Sequence, residues 1–489
     1  MSAADRYDAT PDLEELGPTH LVGIGGAGMS VVAELLAARG VPVQGSDARD
    51  SAVVARLREA GVPVTVGHDA AAVGDARTVV LSSAVRDDNP ELVAARALGL
   101  RVLHRSQALA ALMVGRRGVA VAGAHGKTTT SAMVATILRE LGEDPSFAVG
   151  GSVLTDDGAL PGGHLGRGDV LVAEADESDG SFLAYAPTVA LVTNVEPDHL
   201  DHYGTREAFD DAFVAFAARV VPGGALVACA DDPGSASLAA RHRAGGGTAW
   251  TYGTDPTSDL VVEDVRTAAG ATATLRVRAS GLGGSPELVD GAAARLVLRV
   301  PGAHNVLNAA GAVLAAVALG APFEGAAAAA EAFRGTGRRF EARGEADGVR
   351  VVDDYAHHPT EITALLTAAR DVVGDGRIVV LFQPHLYSRT RTFARAFADA
   401  LALADEVVVT GVYAAREDPD PTTTARSITD LLPETRSGAA PHAVEDRVAA
   451  AHAAAALARP GDLVLTVGAG DVTELGPVVL DALRGRVGE

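Results

Sequence analysis

Short apolar runs alternate with longer amphipathic segments along most of the chain. Near the N-terminus, "THLVGIGGAGMSVVAELLAARG" (19–40) predicts a strand, a glycine turn and a helix, and "VPVQGSD" and "TVVLSSA" predict two further strands. A second strand–loop–helix unit begins at "RGVAVAGAHGKTTTSAMVATILRELG" (117–142). Such alternation of strands and helices is typical of α/β domains built on parallel sheets.

Two later changes in the pattern divide the chain further. Between residues 255 and 300, "ATATLRVRAS" and "ARLVLRV" alternate as short strands do, which predicts a small antiparallel insert. A third α/β unit begins near "FRGTGRRFE". We therefore expect an α/β fold of three domains: a Rossmann-like N-terminal domain at 1–113, a central domain with the insert at 114–334, and a Rossmann-like C-terminal domain at 335–489.

Composition excludes several classes of protein. The net charge of −22 argues against nucleic acid or an anionic membrane as the main partner. The polar, acidic start of the chain does not resemble a signal peptide, and no apolar segment is long enough to span a bilayer, so we expect a cytoplasmic protein without membrane insertion. Cys229 is the only cysteine and is expected in the core. The oligomeric state stays open, a homo-oligomer included.

The stretch "GAHGKTTT" (123–130) holds Lys127, the only lysine among 41 lysine and arginine residues. It departs from the usual GxxxxGK[ST] spacing, because Val121 stands where the first glycine would be. Its place between an apolar strand and a helix still fits a loop whose N–H groups surround a phosphate chain. A lysine there reaches the β/γ oxygens, and a threonine hydroxyl meets Mg²⁺. Lysine is more compact than arginine, which explains why a chain that uses arginine elsewhere keeps lysine here. The central domain is therefore predicted to be a P-loop ATPase domain that binds ATP.

Acidic stretches follow the next two predicted strands. Glu174 opens "EADESDGSF", and "NVEPDHLDHYG" follows the neighbouring strand, which would place His199 beside Glu174. Oxygen ligands at that edge suit Mg²⁺. The alternatives are a solvated loop acid for Glu174 and a capping or core histidine for His199. A zinc site at "HLDH" is not expected, because two further ligands are missing.

The N-terminal "GIGGAG" has the spacing GxGxxG at Gly23, Gly25 and Gly28, and Asp47 follows about twenty residues later. This pattern indicates a diphosphate at a helix N-terminus. It does not separate NAD from a UDP-sugar, and glycines that serve only tight strand–helix packing are the alternative. What Asp47 contacts is left open.

Polar residues also follow apolar strands in the predicted C-terminal domain, in "GRRFE", "DDYAHHPTE" and "FQPHLYSRTR". Asp354, His357, His358 and Arg389 therefore lie where ligand crevices form in α/β folds. A capped loop would explain the histidines equally well, and surface helix charges would explain the arginines.

Ten stretches, in order across residues 20–472, resemble the Mur ligase family of bacterial peptidoglycan synthesis, in its alanine-adding branch. They are "HLVGIGGAGMS", "AGAHGKTTT", "EADESDGSF", "TNVEPDHLDHYG", "PGAHNVLNA", "GTGRRFE", "DDYAHHPTEI", "FQPHLYSRT", "VYAARE" and "LTVGAGDV". The resemblance implies that ATP activates the carboxylate of UDP-N-acetylmuramate as an acyl phosphate. The amine of L-alanine then displaces phosphate. ATP, Mg²⁺, UDP-N-acetylmuramate and L-alanine are the implied ligands.

The resemblance also implies roles for individual residues. Catalytic roles fall on Lys127, His199, Arg339 and Asp354, and magnesium ligation falls on Thr128, Glu174 and His199. The implied ATP contacts are Gly123, Ala124, His125, Gly126, Lys127, Thr128, Thr129, Asn305 and Asn308. The implied contacts with the sugar nucleotide, the product or the amino acid are Gly25, Gly26, Ala27, Gly28, Ser82, Ser83, His357 and Arg389.

The chain departs from parts of the wider family. Related ligases that add later residues carry a carbamoylated lysine between two metals, and "TREAFDDAFVAF" offers none, which fits the alanine-adding branch. Some relatives have arginine where Leu386 stands. Three alternatives remain: a related ligase that attaches a recycled peptide, an oxidoreductase with NAD at "GIGGAG", and an ATP-switched binding protein.

Overall fold

A computed structural model describes residues 11–197, 200–278, 288–415 and 417–486. Three large sheets organise these residues, with five, ten and six strands. Contacts divide the chain into two compact units. The first unit holds both of the first two sheets, and the second consists mainly of Gly335–Glu489 with two short pieces, Arg266–Ala271 and Arg299–Asn305.

The first sheet has the order β3-β2-β1-β4-β5, and every pair in it is parallel. The order reverses between β1 and β4, and such a reversal opens a crevice at the carboxyl ends of the strands. The elements of this part are α1 (Leu13–Leu16), β1 (Thr19–Val22), α2 (Ala27–Ala38), β2 (Val43–Asp47), α3 (Ala52–Glu59), β3 (Val64–Val66), β4 (Thr78–Leu81), α4 (Pro90–Ala97), β5 (Arg101–His104) and α5 (Arg105–Met113).

Local sequence explains where these helices begin. The Asn89 side chain accepts hydrogen bonds from Glu91 N and Leu92 N, and Pro90 occupies the first turn of α4, where a missing N–H costs nothing. At α5, His104 Nδ1 accepts from Ser106 N, while Gln107 accepts from His104 N. Both caps place a helix start at the carboxyl end of the sheet.

The second sheet has the order β10-β7-β11-β6-β12-β13-β14-β15-β16-β17. Its elements, together with a separate β8–β9 hairpin, are β6 (Arg117–Ala122), α6 (Lys127–Glu140), β7 (Ser146–Ala148), β8 (Val153–Thr155), β9 (Gly158–Leu160), β10 (Gly163–His164), β11 (Val170–Glu174), β12 (Val189–Val192), α7 (Leu200–Tyr203), α8 (Arg206–Ala217), β13 (Ala225–Cys229), α9 (Pro233–Ala244), β14 (Ala249–Gly253), β15 (Leu260–Thr267), β16 (Ala271–Val277), β17 (Ala293–Leu298), α10 (Ala303–Ala318) and α11 (Phe323–Ala329).

The centre of the second sheet is parallel and buried on both faces, which explains its nearly continuous apolar strands. β6 lies between β11 and β12, so the loops that leave all three strands meet at one edge. The predicted insert continues this sheet: β14 and β15 pair in parallel, and β15 and β16 are neighbours joined by three residues. So short a connection requires an antiparallel pair.

The third sheet has the order β18-β19-β23-β20-β21-β22, with one antiparallel pair, β18–β19, at its edge. Its elements are β18 (Glu341–Ala346), β19 (Val349–Asp354), α12 (Pro359–Val373), β20 (Ile378–Phe382), α13 (Tyr387–Leu401), β21 (Glu406–Thr410), α14 (Arg426–Thr429), β22 (His442–Val444), α15 (Arg447–Leu457), β23 (Leu463–Val467) and α16 (Leu475–Arg486).

The cores follow the sheets. One apolar cluster runs through both sheets of the first unit, whereas two clusters cover the two faces of the third sheet. Cys229 is buried, as expected. The predicted α/β architecture is confirmed, and its domain limits at 113/114 and 334/335 stay predictions. Within the described ranges, none of the helices combines the length and apolar character needed to cross a membrane.

Candidate functional site

The loop between β6 and α6 folds tightly around the ammonium group of Lys127. Lys127 Nζ donates hydrogen bonds to Gly123 O at 2.6 Å and to Ala124 O at 3.2 Å. Gly123 has φ +131°, and a Cβ there would lie 2.2 Å from Thr193 Oγ1. Gly126 has φ +83° where the helix begins. The loop therefore needs glycine at both positions, and it encloses the lysine ammonium.

The end of the neighbouring strand β12 supports this loop. Asn194 Oδ1 accepts from His125 N at 3.1 Å, and Asn194 Nδ2 donates to His125 O at 3.0 Å. Thr193 Oγ1 donates to the same carbonyl at 2.6 Å. On the other side, a Cβ at Gly126 would lie 2.8 Å from the Asn308 side chain of α10. Hydrogen bonds from the protein itself therefore fix the shape of the loop, as expected of a preformed phosphate site.

Glu174 and Thr128 form a pair of oxygen donors beside the loop. Thr128, in the first turn of α6, donates from Oγ1 to Glu174 Oε2 at 2.9 Å, and Gly150 N donates to the same oxygen at 2.7 Å. A hydroxyl and a carboxylate next to a phosphate loop suit Mg²⁺, which prefers oxygen ligands. Thr129 is buried in the same turn. His199, the other predicted metal ligand, lies outside the described residues.

The lysine has a buried acidic partner that the sequence analysis did not single out. Glu177 is fully buried, and its Oε2 lies 2.9 Å from Lys127 Nζ. Burial opposes the charge on Lys127, but Glu177, Asp176 and Glu174 outweigh it and raise the lysine pKa. Burial raises the pKa of Glu177 to about 7, against the pull of Lys127. The tyrosine Tyr203 donates its hydroxyl proton to Glu177 O and so holds this segment in place.

The N-terminal glycine loop lines a separate cavity of about 720 Å³ in the first sheet. Gly25 N donates to Asp47 Oδ2 at 2.9 Å, so Asp47 supports the loop itself. Ala27 and Gly28 begin α2, and their N–H groups have no acceptor within the helix, which leaves them for an anion. Ser82, at the end of β4, also lines the cavity.

Arg105 supplies positive charge to this cavity, which Arg86 also lines, and it was missed from the sequence. It lines the cavity, and a Cβ at Gly28 would lie 2.5 Å from Arg105 Nη1. Arg105 Nη2 also donates to Asp176 Oδ2 at 3.0 Å. Arg105 follows β5 directly, so the rule that ligands bind at the carboxyl ends of parallel strands would have found it.

One acidic segment, Glu174–Asp179, thus contacts both sites in the first unit. Glu174 and Glu177 contact the lysine loop, whereas Asp176 contacts Arg105. Ser83 Oγ hydrogen bonds to Asp179. Six consecutive residues therefore connect the P-loop with the cavity of the first sheet.

In the second unit, Asp354 ends β19 and is 8% exposed. Its Oδ2 accepts from Phe340 N at 2.7 Å and its Oδ1 from Ala356 N at 2.8 Å. Burial raises the pKa of Asp354 to about 6, and the charge of Arg339 opposes this rise. The Arg339 guanidinium lies 4.8 Å from the centre of the Tyr355 ring.

His357 and Arg389 also lie in the second unit. Burial lowers the pKa of His357 to about 4, so its ring is neutral at pH 7. Its Nδ1 is 3.1 Å from Tyr355 O and 3.3 Å from Glu361 Oε2. Arg389 is buried in the first turn of α13. Asn305 donates from Nδ2 to Pro301 O.

The structure brings together two groups of the predicted site residues. Lys127 and its loop lie with Thr128, Glu174 and Asn308, and the N-terminal glycines lie with Ser82. Ser83 hydrogen bonds to Asp179 and is not among the residues that line the cavity. The residues of the second unit form a group of their own, and their predicted shared site with ATP stays a prediction.

A P-loop with one lysine, a pair of oxygen donors that suits Mg²⁺ and a second cavity at a glycine loop are typical of a class of protein, the P-loop enzymes. Three family models match the chain: "Mur ligase family, catalytic domain" at residues 18–117, "Mur ligase middle domain" at 121–316 and "Mur ligase, glutamate ligase domain" at 338–470. The chain belongs to the Mur ligase family.

Individual relatives are similar over almost the whole chain. The UDP-N-acetylmuramate–L-alanine ligase of Kineococcus radiotolerans is 57% identical over 98% of both chains, and that of Thermobifida fusca is 50% identical over 96% of this chain and 98% of its own. The crystal structure of the UDP-N-acetylmuramate–alanine ligase from Thermotoga maritima matches with a TM-score of 0.76 and 32% identity, over 96% of this chain and all of that one. A murein peptide ligase from Psychrobacter arcticus matches with a TM-score of 0.70 and 26% identity, over 96% and 99%.

Proposed function

We propose that this chain joins L-alanine to the carboxylate of UDP-N-acetylmuramate and uses ATP to do so. The observation that carries the proposal is the acidic segment Glu174–Asp179, which contacts both the P-loop and the Arg105 cavity. A phosphoryl donor at one end and a sugar nucleotide at the other are what a carboxylate-activating ligase requires. The relatives named for this activity, at 50–57% identity, support the same assignment.

In the first step, a carboxylate oxygen of the sugar attacks the γ-phosphorus of ATP, and the bond to ADP breaks. Lys127 would then move its ammonium from the Gly123 carbonyl to the phosphoryl oxygens, where negative charge spreads in the transition state. Thr128 and Glu174 would hold Mg²⁺, which neutralises phosphate charge when bound. The residues thus position reactants and offset charge, and no protein nucleophile is required.

In the second step, the neutral amine of L-alanine attacks the acyl carbon, the bond to phosphate breaks, and the surplus proton on nitrogen passes to the departing phosphate. The family resemblance assigns Arg339, Asp354, His357 and Arg389 to this part of the reaction, and these roles stay predictions. The same holds for His199 as a metal ligand and for the cytoplasmic location. Asn308, which lies against Gly126, and Asn305 are the predicted adenine-side contacts.

The direct test is phosphate release from Mg-ATP with UDP-N-acetylmuramate and either L-alanine, a tripeptide or no amine. We expect release only when both the sugar nucleotide and L-alanine are present. Mass spectrometry of the product should show the sugar nucleotide plus alanine minus water. Release with the tripeptide alone would contradict the proposal and favour a peptide ligase like the 26% identical structure.

A further inference from the structure

The first sheet contains a buried polar cluster that the reaction does not use. Glu91, in the first turn of α4, is fully buried, and its Oε2 accepts from His20 Nε2 at 2.9 Å and from Ser46 Oγ at 2.6 Å. Its Oε1 faces His68 Nδ1 at 3.1 Å and Asp69 N at 3.3 Å. Burial alone raises the pKa of Glu91, but the hydrogen bonds from His20, Ser46 and His68 outweigh burial and lower it. At neutral pH Glu91 is therefore ionised and only accepts hydrogen bonds.

This cluster determines which nitrogen of His68 carries the proton. Ser46 gives its one hydroxyl hydrogen to Glu91, so its oxygen acts as an acceptor toward His68 Nδ1, 3.2 Å away. His68 Nδ1 thus faces two acceptors, the Ser46 hydroxyl and the Glu91 carboxylate, and must carry hydrogen. In the neutral ring, Nε2 then has a free lone pair.

That lone pair belongs to a side chain in the nucleotide cavity. His68 lines the cavity together with Asp47 and the glycine loop, and its side chain is 28% exposed. No hydrogen-bond partner for Nε2 is found in the part of the chain that the structure describes. Besides carboxylate oxygens such as those of Asp47, the cavity therefore presents the Nε2 of His68 as an acceptor just after β3.

The position of the two ends of the ligand follows from the sheet order. The diphosphate belongs at the start of α2, in the centre of the sheet. On the β4–β5 side, Ser83 and Arg105 contact the acidic segment of the ATP site, so the sugar carboxylate must extend toward that side to be phosphorylated. The nucleoside therefore extends the other way, over the ends of β2 and β3, where Asp47 and His68 stand.

We propose that His68 Nε2 accepts the N3–H of the uracil base and that Glu91 acts as the positioning residue that fixes the hydrogen of the neutral ring on Nδ1. The inference rests on the proposed function only in taking UDP as the nucleotide. Cytosine has a bare N3 at the same place, so two lone pairs would face each other. Rejection of a partner that leaves buried polar groups unpaired is a strong source of specificity.

The test compares the Kd of UDP and of CDP by calorimetry for the full-length protein and two variants. We expect the wild type to prefer UDP at least about tenfold and His68→Phe, which keeps the ring shape, to lose most of that preference. His452→Gln, an exposed histidine on α15, is the control and should leave both constants unchanged. An unchanged UDP/CDP ratio in His68→Phe would overturn the inference.

Glu91→Gln separates positioning from mere structural support. The amide NH₂ would donate to His68 Nδ1, which moves the ring hydrogen to Nε2, so we expect the preference to shift toward CDP. A folded Glu91→Gln protein with wild-type preference would contradict the positioning role, and if it fails to fold, His68→Phe alone decides. If the protein ligates alanine but His68→Phe keeps the UDP/CDP preference, the proposed function stands and the inference about His68 fails. If the wild type binds neither nucleotide, the proposed function and the inference are both overturned.

Discussion

The two glycine loops of the first unit share one backbone plan and differ in where their positive charge comes from. In both, a buried parallel strand runs into glycines and then into a helix N-terminus. The loop after β6 carries Lys127 within the loop itself, against a buried glutamate. The loop after β1 has no charged residue, and Arg105 reaches it from the start of α5.

The different sources of positive charge suit two different functions, binding of a diphosphate and transfer of a phosphoryl group. A loop that only binds a diphosphate can rely on helix N–H groups and a planar guanidinium that stays in place. A loop that assists phosphoryl transfer needs a compact charge that follows the moving group. Lys127 is poised for such movement, since two backbone carbonyls and Glu177 hold it through contacts that a phosphate can replace.

Lys127→Arg should produce the largest effect. The forked guanidinium does not fit between the Gly123 and Ala124 carbonyls, so we expect kcat to fall on the order of 10³-fold. The UDP site has its own arginine, so the Kd of UDP should not change. Phosphate release and UDP calorimetry on one preparation measure both quantities. Turnover near the wild-type level would disprove the proposed role of the lysine.

Glu174→Gln should come next. The amide keeps an acceptor for Thr128 but loses the charge that would hold Mg²⁺, so we expect kcat to fall roughly 10²-fold and the magnesium requirement to rise. A magnesium titration of the reaction rate measures this. Glu140→Gln, at the exposed end of α6, is the matched control. A normal magnesium titration in Glu174→Gln would argue against metal ligation by this residue.

The two loops also differ in how well sequence predicts them. The stretch "GAHGKTTT" alone predicts a phosphate loop, because the lysine, glycines and threonines that act together are consecutive. The charge of the other loop comes from Arg105, which is 77 positions after Gly28 (105 − 28) and belongs to a different strand–helix unit. Only the strand order, which brings β5 to the same edge, makes the two neighbours.

The fold was predictable for a similar reason. Alternating apolar strands and capped helices are local signals, and they located the three α/β regions. The partners of buried charges are not local: nothing in "EADESDGSF" shows that Glu177 pairs with Lys127 while Asp176 turns to Arg105. Likewise, His20, Ser46, His68 and Glu91 lie on four separate elements or loops, and only packing unites them.

Arg105→Met should weaken the second loop alone. Loss of a charge-assisted contact with the diphosphate should raise the Kd of UDP roughly 10- to 100-fold, while ATP binding stays unchanged. Arg39→Met, at the exposed end of α2, is the control. Asp176→Asn removes the ion pair but keeps Arg105. If Asp176→Asn raised the Kd of UDP as much as Arg105→Met does, direct contact between Arg105 and the diphosphate would be contradicted.

Among these substitutions, Arg105→Lys should have the smallest effect, a modest rise in the Kd of UDP. A lysine at the start of α5 retains the charge and loses only the bidentate contact with the diphosphate. We therefore expect the Kd of UDP to rise a few-fold, which corresponds to a loss of binding free energy on the order of 1 kcal/mol. The reverse exchange, Lys127→Arg, is expected to lower kcat on the order of 10³-fold. Calorimetry with UDP and kinetics at saturating sugar nucleotide measure the pair of exchanges. If both exchanges were equally harmful, the distinction between a charge that binds and a charge that follows the transferred group would be wrong.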